Sequence, residues 1–101
     1  MNITFEQRGL QARLGLAGRF DFACHRSFKE AYEKALREPH AAELVVEMGQ
    51  VSYVDSSALG MLLILRDRAL EHGKSVTLAG AVGVVAEVLR VANFEKLFRL
   101  A

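Results

Sequence analysis

Apolar residues along this chain follow two rhythms, and each change of rhythm marks an element. Ile3 to Arg8 and Gln11 to Ala17 alternate with a period of two, and Gly9 lies between them. Ile3 and Phe5 share one face, Ala12, Leu14 and Leu16 another, the pattern of a β-hairpin with one covered side. From Asp21 the step lengthens. Cys24, Phe28, Ala31, Tyr32, Ala35 and Leu36 form one apolar stripe with lysines, arginines and glutamates between them, which predicts a helix. Asp21 is placed to cap its start, and Pro39 marks its end.

ELVVEMG, Glu43 to Gly49, is a β-rich run of the length a central strand needs. After a loop, DSSALGMLLILRDRALEHG reads as a second helix, with His72 in its last turn and Gly73 placed to stop it. SVTLAG, Ser75 to Gly80, reads as another strand. Val84, Val85, Val88 and Leu89 then give a third helix its buried stripe, up to about Ala92. Asn93 tolerates the left-handed conformation that often follows a helix, and Lys96 to Leu100 adds a last short strand. The predicted order is β-β-α-β-α-β-α-β. Parallel neighbours need long crossover connections, which the helices supply. The fold class is therefore α/β: a single small domain over residues 1–101, with a mixed sheet of four to five strands and helices packed against it.

Composition narrows the function. A chain of 101 residues with 51% hydrophobic residues has material for one core and no second domain. Thirteen basic and twelve acidic residues nearly cancel and are scattered, so charge points to neither nucleic acid nor an acidic membrane. The lone Cys24 has no partner for an internal disulfide and reads as a small core residue, and no signal-peptide pattern follows Met1; the expected location is cytoplasmic. The most apolar long stretch, Val76 to Ala92, is punctuated by Gly80 and Gly83 and charged by Glu87 and Arg90. A membrane-spanning helix needs roughly 20 mostly uncharged residues, so this stretch reads as a strand followed by an amphipathic helix, with no membrane insertion.

Catalytic chemistry finds little support. Neither serine of VDSSALG, Val54 to Gly60, lies in the G-x-S-x-G pattern of a nucleophile elbow. His25, His40 and His72 all fall in polar settings and read as solvated surface. Cys24 and His25 are adjacent, and no further ligand completes a metal set. The Gly80 to Gly83 turn lacks the third glycine and the lysine of a phosphate-cradling loop. No enzyme activity, cofactor or metal is expected.

What remains is the DSS run. Asp55 suits the N-cap, which makes Ser56 the first helical residue and Ser57 the second. Following a central strand, Ser56 stands at the carboxyl edge of the sheet, where open α/β folds place their functional groups. On these residues alone, the plain reading is a helix cap with a spare hydroxyl. The helix adds a surface. If Ala58, Leu62, Leu65, Ala69 and Leu70 face the sheet, then Gly60, Ile64, Asp67, Arg68 and Glu71 face away, with Met61 on the margin. Gly60, Met61 and Ile64 would then form a small apolar docking patch beside Ser56. The competing arrangement is a slightly rolled helix whose patch packs under a loop.

Three segments in order resemble the STAS domain family of anti-sigma-factor antagonists, from about Ile3 to Leu100. GRFDF, Gly18 to Phe22, is similar to the family's loop after the second strand. VDSSALG is similar to its phosphorylation loop, and LAGAVGVVAEVLRVANFEKLF to its strand, third helix and closing phenylalanine segment. The resemblance implies that Ser56 is phosphorylated by a serine-protein kinase of the anti-sigma type and dephosphorylated by a cognate phosphatase. Asp55 and Ser57 would support the site, with Asp21 in a loop near the serine. It also implies that the unmodified domain binds an anti-sigma factor or switch kinase through Gly60, Met61, Ile64, Asp67 and Arg68. Ala58 stands where the family usually has glycine, Phe20 where leucine is common, and the chain ends where many relatives carry a further helix. Two other functions fit the same resemblance: a constitutive STAS subunit of a bacterial lipid-transport ABC complex, which binds its ATPase without phosphorylation, and a nucleotide sensor, which the missing phosphate loop disfavours.

Overall fold

The structure, a computed structural model, describes residues 1–101. Strands β1 (Asn2–Arg8) and β2 (Gln11–Phe20) form the hairpin, turning at Gly9 with φ +59°. A 3-10 turn over Phe22–Cys24 leads into α1 (His25–Leu36). Then follow β3 (Glu43–Val54), α2 (Ser56–Glu71), β4 (Ser75–Ala79), α3 (Gly83–Val91), a 3-10 turn over Phe94–Lys96 and β5 (Arg99–Leu100). The sheet order is β1-β2-β3-β4-β5, antiparallel between β1 and β2 and parallel across the other three pairs. The predicted order of elements stands, with five strands in the sheet.

The hairpin register pairs Ile3 with Leu16 and Phe5 with Leu14, so the apolar residues of both strands lie on one side of the sheet. Ala12, Leu14 and Leu16 of β2, Leu44, Val46 and Met48 of β3, and Val76 and Leu78 of β4 join Phe28, Leu62 and Leu89 of the three helices in one core. Val45 and Thr77 are buried too, but point to the opposite side and lie outside that core. There Gln11 and Thr77 donate to Glu43 at 2.9 and 2.5 Å, and Arg13 pairs with Glu47, so polar side chains satisfy one another across the strands.

Several boundaries differ from the sequence reading. The loop expected after Gly49 is strand: β3 continues to Val54 because Ala17 to Phe20 extend β2 alongside it. Register shifts near Gly15 to Ala17 and Gly18 to Arg19 break the period-two pattern, so these residues show no strand alternation. The last strand is shorter than expected, since Phe94 and Phe98 bury themselves through a 3-10 turn led by Asn93 at φ +59°. In α3 only Val85 and Leu89 are buried, whereas Val84 is 75% exposed. Ala31 lies half-buried at the edge of the α1 stripe. The apolar stretch from Val76 resolves into β4 and α3, and no helix is long and apolar enough to cross a membrane.

Candidate functional site

Two strand ends place the site. Phe20 of β2 is registered with Val54 of β3, so Asp21 and Asp55 follow at equivalent positions on neighbouring parallel strands. Both aspartates hold extended backbone and cap what comes next. Asp21 Oδ1 accepts from the Ala23 amide at 3.1 Å, and Asp55 Oδ1 from the Ala58 amide at 2.8 Å. Asp55 thereby satisfies an amide that α2 cannot pair internally, whereas Asp21, expected to cap α1, caps the 3-10 turn before it, and α1 begins at His25 with no side-chain cap from Cys24. The Arg19 guanidinium lies 4.0 Å from the centre of the Tyr53 ring and 3.6 Å from Asp21, tying the two ends together. The sequence placed Asp21 in a loop near the serine only by resemblance; strand register supplies the physical reason.

Ser56 is the first residue of α2 and is exposed, while Ser57 is half-buried and Ala58 fully buried. The first-turn amides give this end of the helix a partial positive charge. Asp55 engages one of them, and the Ser56 hydroxyl takes part in none of the side-chain hydrogen bonds here.

The outer face of α2 departs from the expected one in three ways. Met61 is buried at 5% exposure: it packs toward α1 and lines a groove of about 90 Å³ with His25, Phe28, Tyr32 and Ile64. Leu70, placed on the sheet side by periodicity, is 59% exposed. Arg68 is no free contact residue. Its Nε and Nη2 donate to the two carboxylate oxygens of Glu33 on α1 at 2.7 and 2.8 Å, and Nη1 pairs with Glu71. That hydrogen-bonded pair holds the Glu33 carboxyl below its usual range and raises the Arg68 guanidinium further above its own. Gly60 is half-buried, Asp67 exposed and Ile64 52% exposed, so the outward Ile64 next to Gly60 stands as expected. The helix is rolled enough to tuck in Met61, but not Ile64.

A second apolar surface was missed. Leu59, one turn beyond Ser56, forms a groove of about 340 Å³ with Val84, Val88, Val91 and Ala92 of α3. Its signal was in the sequence: the valines of this nine-residue helix cover more than the one face that can be buried. Phe22 adds another exposed apolar group, stacked on His25 with ring centres 5.8 Å apart. Ser56 thus starts a helix flanked by an α1 groove on one side and an α3 groove on the other. His25, His40 and His72 are exposed, as read from their settings, and no group of three or more histidine, cysteine or acidic residues is arranged to hold a metal ion.

The family model described as "Mlab, STAS domain" matches residues 3–100. The chain belongs to the STAS domain family. Over 93 residues this STAS domain is 40% identical to a STAS-domain containing protein of Pseudomonas aeruginosa strain UCBPP-PA14, covering 92% of this chain and 90% of the relative. Among solved structures it is similar to an anti-sigma factor antagonist from Mycobacterium paratuberculosis, with a TM-score of 0.86 at 13% identity over 98% of this chain and 83% of that one. It is also similar to the anti-sigma factor antagonist SpoIIAA of Bacillus in its unphosphorylated form, with a TM-score of 0.72 at 18% identity over 99% and 87% of the two chains. At such identities the structures establish a shared fold.

Proposed function

We propose that this STAS domain is an anti-sigma-factor antagonist, a non-enzymatic binding module switched by phosphorylation of Ser56. One observation carries the reading. The exposed Ser56 hydroxyl begins α2 between the Ile64 groove and the Leu59–Val84 groove, so a protein covering both must close over it. In the unmodified state a partner, an anti-sigma factor or a switch kinase of the anti-sigma type, docks across Gly60, Ile64, Asp67 and the two grooves. Phosphorylation adds roughly −1.5 to −2 charge in the middle of that contact. The first-turn amides of α2 accommodate the phosphate within the domain, while Asp55 beside it and the apolar partner surface oppose it. The fold can stay intact while the complex separates. Asp55 holds the helix start, Ser57 supports the turn, and Asp21 orders the neighbouring strand end. A cognate phosphatase restores binding.

Ser56→Ala and Ser56→Asp, assayed for partner binding and for kinase-dependent phosphate incorporation, test this. Expected are binding without incorporation for the alanine variant and lost binding for the aspartate variant. Incorporation that persists in Ser56→Ala, or equal binding by wild type and Ser56→Asp, overturns the switch. Unmodified co-purification with a membrane ATPase would instead support a constitutive subunit of a lipid-transport complex.

A further inference from the structure

The end of α2 far from Ser56 opens onto a different kind of site. Ser56 and Leu70 are 14 residues apart on one helix, or about 21 Å at 1.5 Å per residue. Beyond Leu70, β5 pairs only with Thr77 and Leu78, so Ser75 and Val76 at the start of β4 have no strand on that side. A cavity of about 270 Å³ occupies this place, and Arg66, Lys74 and Arg99 all line it.

Like Arg26, Lys29, Lys34, Arg37 and Lys96, these three cations have no carboxylate partner, but they alone converge as three on one cavity. Arg8, Arg13, Arg19, Arg68 and Arg90 each have a carboxylate partner. Arg66 instead donates from Nε to the Leu97 carbonyl at 2.8 Å, which aims its fork without neutralising it. Lys74 Nζ donates to the Leu36 and Glu38 carbonyls at the end of α1, at 2.8 and 2.6 Å, so no carboxylate neutralises it either. Arg99 has no side-chain partner. The one carboxylate of the lining, Glu43, is engaged by Gln11 and Thr77. A concave surface with three positive charges against one negative concentrates an anion. Guanidinium forks match the geometry of a phosphate, and the Ser75 hydroxyl adds a donor. Leu70 and Leu97, 59% and 40% exposed, give the same cavity an apolar rim.

We propose that this cavity binds a small phosphomonoester, its phosphate on Arg66 and Arg99 with the Ser75 hydroxyl, and its organic part on Leu70 and Leu97. The volume is below the roughly 300–1,000 Å³ of pockets for drug-sized ligands, which suits a single-ring or short-chain compound. The site lies outside the Ser56 surface and does not depend on the switch.

Titration of the intact 101-residue chain with phenyl phosphate and with inorganic phosphate at constant ionic strength, followed by amide NMR, tests the proposal. Saturable shifts at Ser75, Thr77 and Arg99 are expected, with phenyl phosphate binding the tighter. Arg99→Ala, at an exposed position whose loss leaves the core intact, should weaken both by about tenfold or more, because a charged hydrogen-bond donor is removed. Ser56→Ala should leave both affinities unchanged. Equal affinity in Arg99→Ala, shifts reproduced by sodium chloride, or weakened binding in Ser56→Ala would overturn it. So would retention on phosphatidic acid vesicles without response to either soluble phosphate, which assigns the cations to a membrane surface.

Discussion

The two halves of α2 share one inner face and have opposite outer ones. Ala58, Leu62, Leu65 and Ala69 are fully buried along its whole length. Outward, the stretch through Ile64 presents Ser56, Gly60 and Ile64 with no ion pair, whereas beyond it the side facing α1 is braced by the Glu33–Arg68–Glu71 cluster. A uniform inner face anchors the helix, so the outer face is free to differ: bracing at one end, availability at the other. The difference shows why exposure and hydrogen bonding, more than residue type, separate a docking residue from a structural one. Arg68 is the more polar side chain, but it is Ile64 that is available.

Five experiments test this contrast. The largest effect is expected inside: Leu62→Ala and Leu65→Ala, one in each half, should each lose about 2–5 kcal/mol in denaturant unfolding, since both leave cavities in a packed core. Similar losses at the two sites would show the inner face to be uniform; a much smaller loss at Leu62 would mean that the open half is loosely anchored. Next, Ile64→Ser should weaken partner binding by about tenfold with the unfolding midpoint nearly unchanged, the mark of an interface residue. A lowered midpoint with intact binding would reverse its assignment.

Asp55→Ala removes the cap from the open end and should cost about 1 kcal/mol of stability, read from chemical denaturation. Asp55→Asn keeps an acceptor and should retain most of it. The smallest effect belongs to the braced end. Arg68→Gln should leave partner binding unchanged and lower stability less than Asp55→Ala, because partly exposed pairs contribute little. Its pH dependence is informative. The Arg68 hydrogen bond lowers the folded-state Glu33 pKa, so its contribution is present above the ordinary glutamate pKa of about 4.3 and is lost as pH falls through the lower folded value. Acid unfolding curves should be shallower in Glu33→Gln; curves that superimpose on wild type would show that the brace contributes nothing.

Much of this contrast was legible beforehand. Asp55 as the cap, Ser56 as the first helical residue and Gly73 as the stop depend on local backbone preferences that short stretches of sequence express directly. Gly73 indeed takes φ +69°, directly after the C-cap residue His72. The roll of α2 was not legible, because Leu59, Leu63, Ile64 and Leu70 make the helix apolar on several sides, so periodicity alone does not choose the buried stripe. Nor could Arg68 be seen as a brace, since Glu33 lies 35 residues away in the chain and meets it only when α1 packs on α2.

By itself, then, the sequence determined the order of strands and helices, the α/β class, the caps and the family, all of which rest on local periodicity, local backbone chemistry and ordered motifs. Tertiary structure decided how far β2 and β3 run together, which side of each helix is buried, and which charges are paired. Those outcomes depend on filling a shared core and on neighbours distant in the chain. Ser56 belongs to both: its place in the helix is local, but the register of β2 against β3 and the packing of α1 and α3 set what surrounds it.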